Sequence, residues 1–134
     1  MYEMMLNRKH NRKGFTLVEV IVVLVILAIL AAIMIPSMVK WIDEANAKKG
    51  IVEARTILLA AQTIASEAYG TDTPVLSVTD ADVKKFLGAT ESASLGTVTD
   101  ITVTAGVCQT FTYTPKNGGK AVTYTPGSGF SVAS

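Results

Sequence analysis

From Val20 to Val39 the chain carries no charged residue, and that run decides what the rest can be. Val20 to Ile35 reads VIVVLVILAILAAIMI. With the flanking residues 15–18 and 36–39, about 20–25 residues can be helical, which at roughly 1.5 Å per residue spans a hydrocarbon core of about 30 Å. A run of this kind has two outlets: the middle of a large core, or lipid. The chain has 134 residues, so only about 90 remain for a soluble part. A part that size buries a modest core and has no room to enclose such a helix.

Charge is placed asymmetrically around the run. Arg8, Lys9, Arg12 and Lys13, with His10 among them, precede it, whereas Lys40, Lys48 and Lys49 follow it balanced by Asp43 and Glu44. This layout predicts a basic end on the cytoplasmic side and the C-terminal part outside. A conventional secretory signal would have a shorter apolar core, about 7–15 residues, ending in small residues at a cleavage site. Here the small residues Ala28, Ala31 and Ala32 lie inside the run, where they permit close helix approach.

Glu19 is the residue that needs explaining. A carboxylate at the start of an apolar segment costs several kcal/mol to bury unless it is neutralised or paired. Phe15 and Glu19 are four apart, on one face if both are helical. Should Phe15 be an N-terminus, its α-amino group is a partner for the carboxylate, within one chain or between neighbours. The alternative is a side chain that merely snorkels to the headgroups.

The stretch Lys13-Gly14-Phe15-Thr16-Leu17-Val18-Glu19, the short basic leader and the unbroken apolar helix after it together resemble the type IV prepilin signature. The resemblance covers about the first 40 residues. It implies that a membrane prepilin peptidase and N-methyltransferase cuts after Gly14 and methylates Phe15. It also implies that Glu19 is needed for entry into the filament, and Pro36 matches a proline that many members have at that distance from the cut. The implied product is a pilus-like homopolymer, drawn from the membrane by the inner-membrane pilus assembly machinery and displayed at the cell surface. A pseudopilin of a secretion or DNA-uptake system shares the same signature. Gly14 also suits the position chemically, since it presents no side chain to a peptidase and lets the backbone extend. Loss of residues 1–14 would remove four of the twelve basic and one of the eleven acidic residues, taking the side-chain sum from +1 to −2. A mildly acidic chain argues against capture of nucleic acid.

Beyond Pro36, Ala47, Ile51, Ala54, Leu58, Ala61, Ala65 and Ala68 recur at three- and four-residue steps, an apolar stripe that predicts continued helix to a stop at Tyr69-Gly70-Thr71. Pro36 removes one helical hydrogen bond and predicts a kink. Trp41 suits the outer membrane interface. Gly50 weakens the helix by up to about 1 kcal/mol, with no compensating role evident from its neighbours in the chain. A short helix within Ser77 to Gly88, capped by Thr79 or Asp80 and ended by Gly88, is expected next, then a loop of small residues. Candidate strands are Asp100–Thr104, Cys108–Thr114, Ala121–Thr125 and Gly129–Val132, with turns at Lys116-Asn117-Gly118-Gly119 and Pro126-Gly127-Ser128-Gly129. Phe111, Tyr113 and Tyr124 are placed for cross-strand pairing.

These readings give an α+β, pilin-like fold: a long N-terminal helix, half membrane-spanning and half amphipathic, packed on a small antiparallel sheet. The expected organisation is a leader at 1–14, a membrane and assembly half at 15–39, an amphipathic half at 40–70 and an extracellular globular part at 71–134. No enzyme, cofactor or metal centre is expected. The soluble part has no histidine, no nucleophile elbow and no phosphate loop. Asp80, Asp82, Glu91 and Asp100 fit no calcium loop and read as solvated or capping carboxylates. Cys108, the single cysteine, cannot form an internal disulfide and reads as a small buried hydrophobe, with a thiol linking neighbouring subunits as the alternative. A membrane-tethered binding module is the reading from another class; it would keep the helix but require neither the cut nor Glu19.

Overall fold

The computed structural model describes residues 14–71, 77–116 and 118–134. The basic leader cluster, the approach to the short helix at Pro74 to Leu76 and Asn117 of the first expected hairpin turn lie outside the described residues. The elements are α1 (Leu17–Tyr69), α2 (Asp80–Leu87), α3 (Ala89–Ser92), β1 (Thr97–Thr104), β2 (Val107–Thr114), β3 (Val122–Thr125) and β4 (Gly129–Val132). The chain divides between Val39 and Lys40 into two units.

In the first unit, α1 is unbroken through Pro36. Proline has no N–H to give to the preceding turn. Beside it the Ser37 hydroxyl donates to the Met34 carbonyl at 2.8 Å. The hydrophobic side chains of this stretch are all exposed, and by length and composition α1 is able to cross a membrane.

The second unit holds the core. The sheet is an antiparallel meander in the order β1-β2-β3-β4. The rest of α1 packs on it, so the architecture is the expected α+β, pilin-like one. Ala54, Ala61 and Ala65 are buried as the stripe predicts, but the fully enclosed isoleucine is Ile57, while Ile51 and Leu58 are only partly covered. The contact line is therefore turned slightly from the predicted one. Gly50 explains why: a Cβ there would lie 3.2 Å from Val122 Cγ2 and 3.5 Å from Pro115 Cγ. Its missing side chain lets β3 approach the helix, a gain that offsets its weak helix propensity. At the far end, the Thr71 N–H and hydroxyl both turn back to the Ala68 carbonyl, at 3.3 and 2.8 Å, and close the helix.

Strand β1 begins at Thr97, three residues before the expected start. Thr97, Val98 and Thr99 pair with Thr114, Tyr113 and Thr112, and then the register shifts. Asp100 sits at the irregularity with φ of 56°. The bulge breaks the two-residue alternation, which is why the pattern was legible only beyond it. The β1–β2 turn places Ala105 (φ 51°) and Gly106 (φ 74°) both in the left-handed region, the requirement of a tight two-residue hairpin. Gln62 on α1 pins that hairpin: its amide donates to the Gly106 carbonyl at 2.9 Å and its Oε1 accepts from the Cys108 N–H at 3.0 Å.

Phe111 stands opposite Tyr124, their rings stacked at 5.6 Å, as expected. Tyr113 departs from the prediction. It faces Val122, and its hydroxyl donates to Glu53 Oε2 at 2.7 Å while accepting from the Gly96 N–H at 2.9 Å. Burial first, then the bond to the Glu53 carboxylate, pushes its phenol up to about 12. The bond to the buried Tyr113 hydroxyl holds Glu53, on α1, against the sheet. Cys108 is buried and free, and burial raises its thiol pKa.

Thr79 caps α2 with a reciprocal box. Its hydroxyl accepts from the Asp82 N–H at 3.3 Å, and Asp82 Oδ2 accepts from the Thr79 N–H at 3.0 Å. The bonds from the Thr79 side chain and backbone hold the Asp82 carboxyl below its ordinary pKa. Asp80 accepts from Lys84 at 2.7 Å and from the Val98 N–H at 2.9 Å, tying α2 to β1. The segment expected as loop after Gly88 contains the single turn α3.

Candidate processing and assembly site

The predicted site residues fall at the start of α1 and within it. Gly14, Phe15 and Thr16 precede the helix in non-helical backbone, and Leu17 is its first residue. Phe15 is 88% exposed. The side of Gly14 where a Cβ would stand is open, with nothing within 4 Å. The peptide bond between Gly14 and Phe15 is thus exposed and outside the helix, in the first described residues of the chain.

Thr16 is what starts the helix. Its carbonyl accepts the helical bond from the Val20 N–H at 3.3 Å. Its hydroxyl accepts from the Glu19 N–H at 3.3 Å, and Glu19 Oε2 accepts from the Thr16 N–H at 3.1 Å. These are the two halves of a capping box, each satisfying a donor that the helix end leaves without a backbone partner. The carboxylate also sits where the helix dipole favours negative charge, by about 0.3–1 kcal/mol. Glu19 therefore has a local partner in the uncut chain, a role that sequence reasoning missed. The signal was present: Thr three residues ahead of Glu, just before an apolar run.

Phe15, although outside the helix, still comes together with Glu19. Both line a shallow, almost wholly apolar recess with Val20, Val23 and Leu24. A carboxylate has room for about four hydrogen bonds, so the bond to Thr16 leaves capacity for a second donor on that side. Pro36 lies inside α1, seventeen residues beyond Glu19 in the chain, and makes no part of this cluster. Among the described residues no group of three or more His, Cys, Asp or Glu side chains is placed to hold a metal ion.

A family model described as the prokaryotic N-terminal methylation motif matches residues 9–35. The match takes in the Gly14–Phe15 bond, the capping box and most of the charge-free run, and leaves Pro36 and everything after it unmatched. Neither the curated proteins nor the solved structures gave a match.

Proposed function

Starting from a chain that carries the type IV pilin and pseudopilin prepilin signature, we propose that it is a filament subunit, made as a single-pass membrane precursor, cut after Gly14, methylated on Phe15 and polymerised through α1 into a pilus-like fibre at the cell surface. The observation that carries this reading is the exposed, charge-free stretch of α1 headed by a capped carboxylate. Each such aliphatic side chain gains about 1.5–3 kcal/mol on leaving water, and among the described residues these side chains are exposed. Lipid covers them before assembly. Neighbouring helices cover them afterwards, with Ala28, Ala31 and Ala32 allowing close contact where association depends on packing.

Cleavage adds to the site without dismantling it. Hydrolysis of the Gly14–Phe15 bond consumes one water, leaving a carboxylate on Gly14 and an amine on Phe15. That amine, a cation at the positive end of a helix, is disfavoured by the helix dipole. Glu19 offsets it, from the same chain or from the next. The partners are further copies of this chain, a prepilin peptidase with N-methyltransferase activity and the inner-membrane assembly machinery. The chain itself performs no catalysis and binds no nucleic acid.

Glu19→Ala tests the pairing. The variant is expected to be cut and to stay in the membrane, yet to form no filaments visible by electron microscopy with labelling against this chain. Normal filaments from it would refute the role given to the carboxylate. Terminal sequencing that finds N-methyl-Phe15 supports the cut and separates a filament subunit from a tethered binding module.

A further inference from the structure

Resting on that reading, we infer that Thr16 is a positioning residue for leader removal: its hydroxyl halts the helix two residues past the Gly14–Phe15 bond and so keeps that bond in the non-helical backbone a peptidase can take.

A helix extended one step upstream would send the Glu19 N–H to the Phe15 carbonyl, four residues back. In the structure the Thr16 hydroxyl holds that N–H instead, at 3.3 Å. The same extended helix would send the Thr16 N–H to the residue four before it, and here Glu19 Oε2 holds it at 3.1 Å. Both donors that would draw Phe15 and the leader into α1 are already occupied. The pressure to extend is real, because a backbone entering lipid must satisfy its polar groups internally, and helix growth does this one bond at a time. Gly14 resists helix by up to about 1 kcal/mol on its own account, which leaves the cap as the second brake. The match to the methylation motif across residues 9–35 is an independent reason to place a peptidase at this bond.

The alternative is that a peptidase touches Thr16 by shape. The two are separable, since Val has the outline of Thr without its acceptor, while Asn has another outline and caps as well as Thr or better. The full-length precursor is placed in lipid vesicles with a prepilin peptidase, and the initial rate of leader loss is followed by mass spectrometry. Thr16→Val is expected to be cut about fivefold more slowly, the kinetic equivalent of about 1 kcal/mol of capping. Thr16→Ser and Thr16→Asn should stay within about twofold of the parent. Hydrogen exchange in micelles should show new protection upstream of Leu17 in Thr16→Val alone. Parental cutting of Thr16→Val, or equal slowing of Val and Asn, would overturn the inference. A parent that keeps its leader under conditions where a control prepilin is cut overturns the cleavage reading itself, a distinct failure.

Discussion

Ile26 and Ile57 lie on the same helix, yet Ile26 is 51% exposed and Ile57 is fully buried. Ile26 belongs to a stretch whose apolar surface is unmet by the chain's own core. Ile57 belongs to one buried cluster with Val122, Tyr113 and Phe111, a core this chain builds for itself. The two regions use the same capping chemistry, Thr16 with Glu19 and Thr79 with Asp82. At α2 the box starts a helix that buries Val83 in the core; at α1 it starts one whose first half leaves its apolar side chains exposed. Helix formation is thus a local matter, and what a helix does afterwards depends on what stands opposite it.

The sharpest way to break this contrast is a matched pair of truncations. Ile57→Ala is expected to destabilise the sheet-bearing unit by about 2–5 kcal/mol, through lost burial and a residual cavity. Ile26→Ala should change the same stability by less than about 0.5 kcal/mol and act instead on assembly. Chemical denaturation of the full chain in micelles, followed by near-ultraviolet circular dichroism, measures both; equal losses would sink the contrast.

Tyr113→Phe comes next in size. It removes the donor to Glu53 Oε2 and the acceptor of the Gly96 N–H, leaving the mostly buried carboxylate with Lys49 at 3.7 Å, at a cost of about 1–3 kcal/mol. It also changes the pH profile. The folded phenol titrates near 12, above its ordinary value of 10.0, so the unfolded chain loses its proton first. The parent should therefore lose stability as pH rises from about 10 to about 12, and the loss from this group should vanish in the variant. An unchanged alkaline slope would remove Tyr113 from the account.

Ala105→Asn is the smallest effect and goes the other way. Ala105 is held at φ 51°, which costs an ordinary residue about 1–2 kcal/mol and asparagine less. The variant should gain up to about 1 kcal/mol, read as a rise of a few degrees in Tm, while leaving the first unit untouched.

Much of this was visible beforehand. The apolar run, the cap and stop of α2, strand β4 and the Phe111–Tyr124 pair follow from periodicity and turn chemistry. The Thr16–Glu19 box was equally present in the spacing, Thr three residues ahead of Glu at the head of the apolar run. Gly50 was different in kind, as were Gln62 and the Glu53–Tyr113 bond. Their partners lie forty to seventy residues away, and no local pattern announces them.

By itself the sequence determined which part of α1 is too apolar and too charge-free to stay in water, and which carboxylate stands near its head; the helix start was expected at Phe15, and the Thr16 cap sets it at Leu17 instead. These are properties of neighbours within a few residues, set by hydrogen-bond reach and transfer free energy. Only the tertiary structure decided that Ile57 faces inward, that a glycine in mid-helix is an advantage and that a bulge at Asp100 shifts the register of β1. Each of those depends on distances between segments remote in the chain, where close packing selects one arrangement among several that local propensity allows.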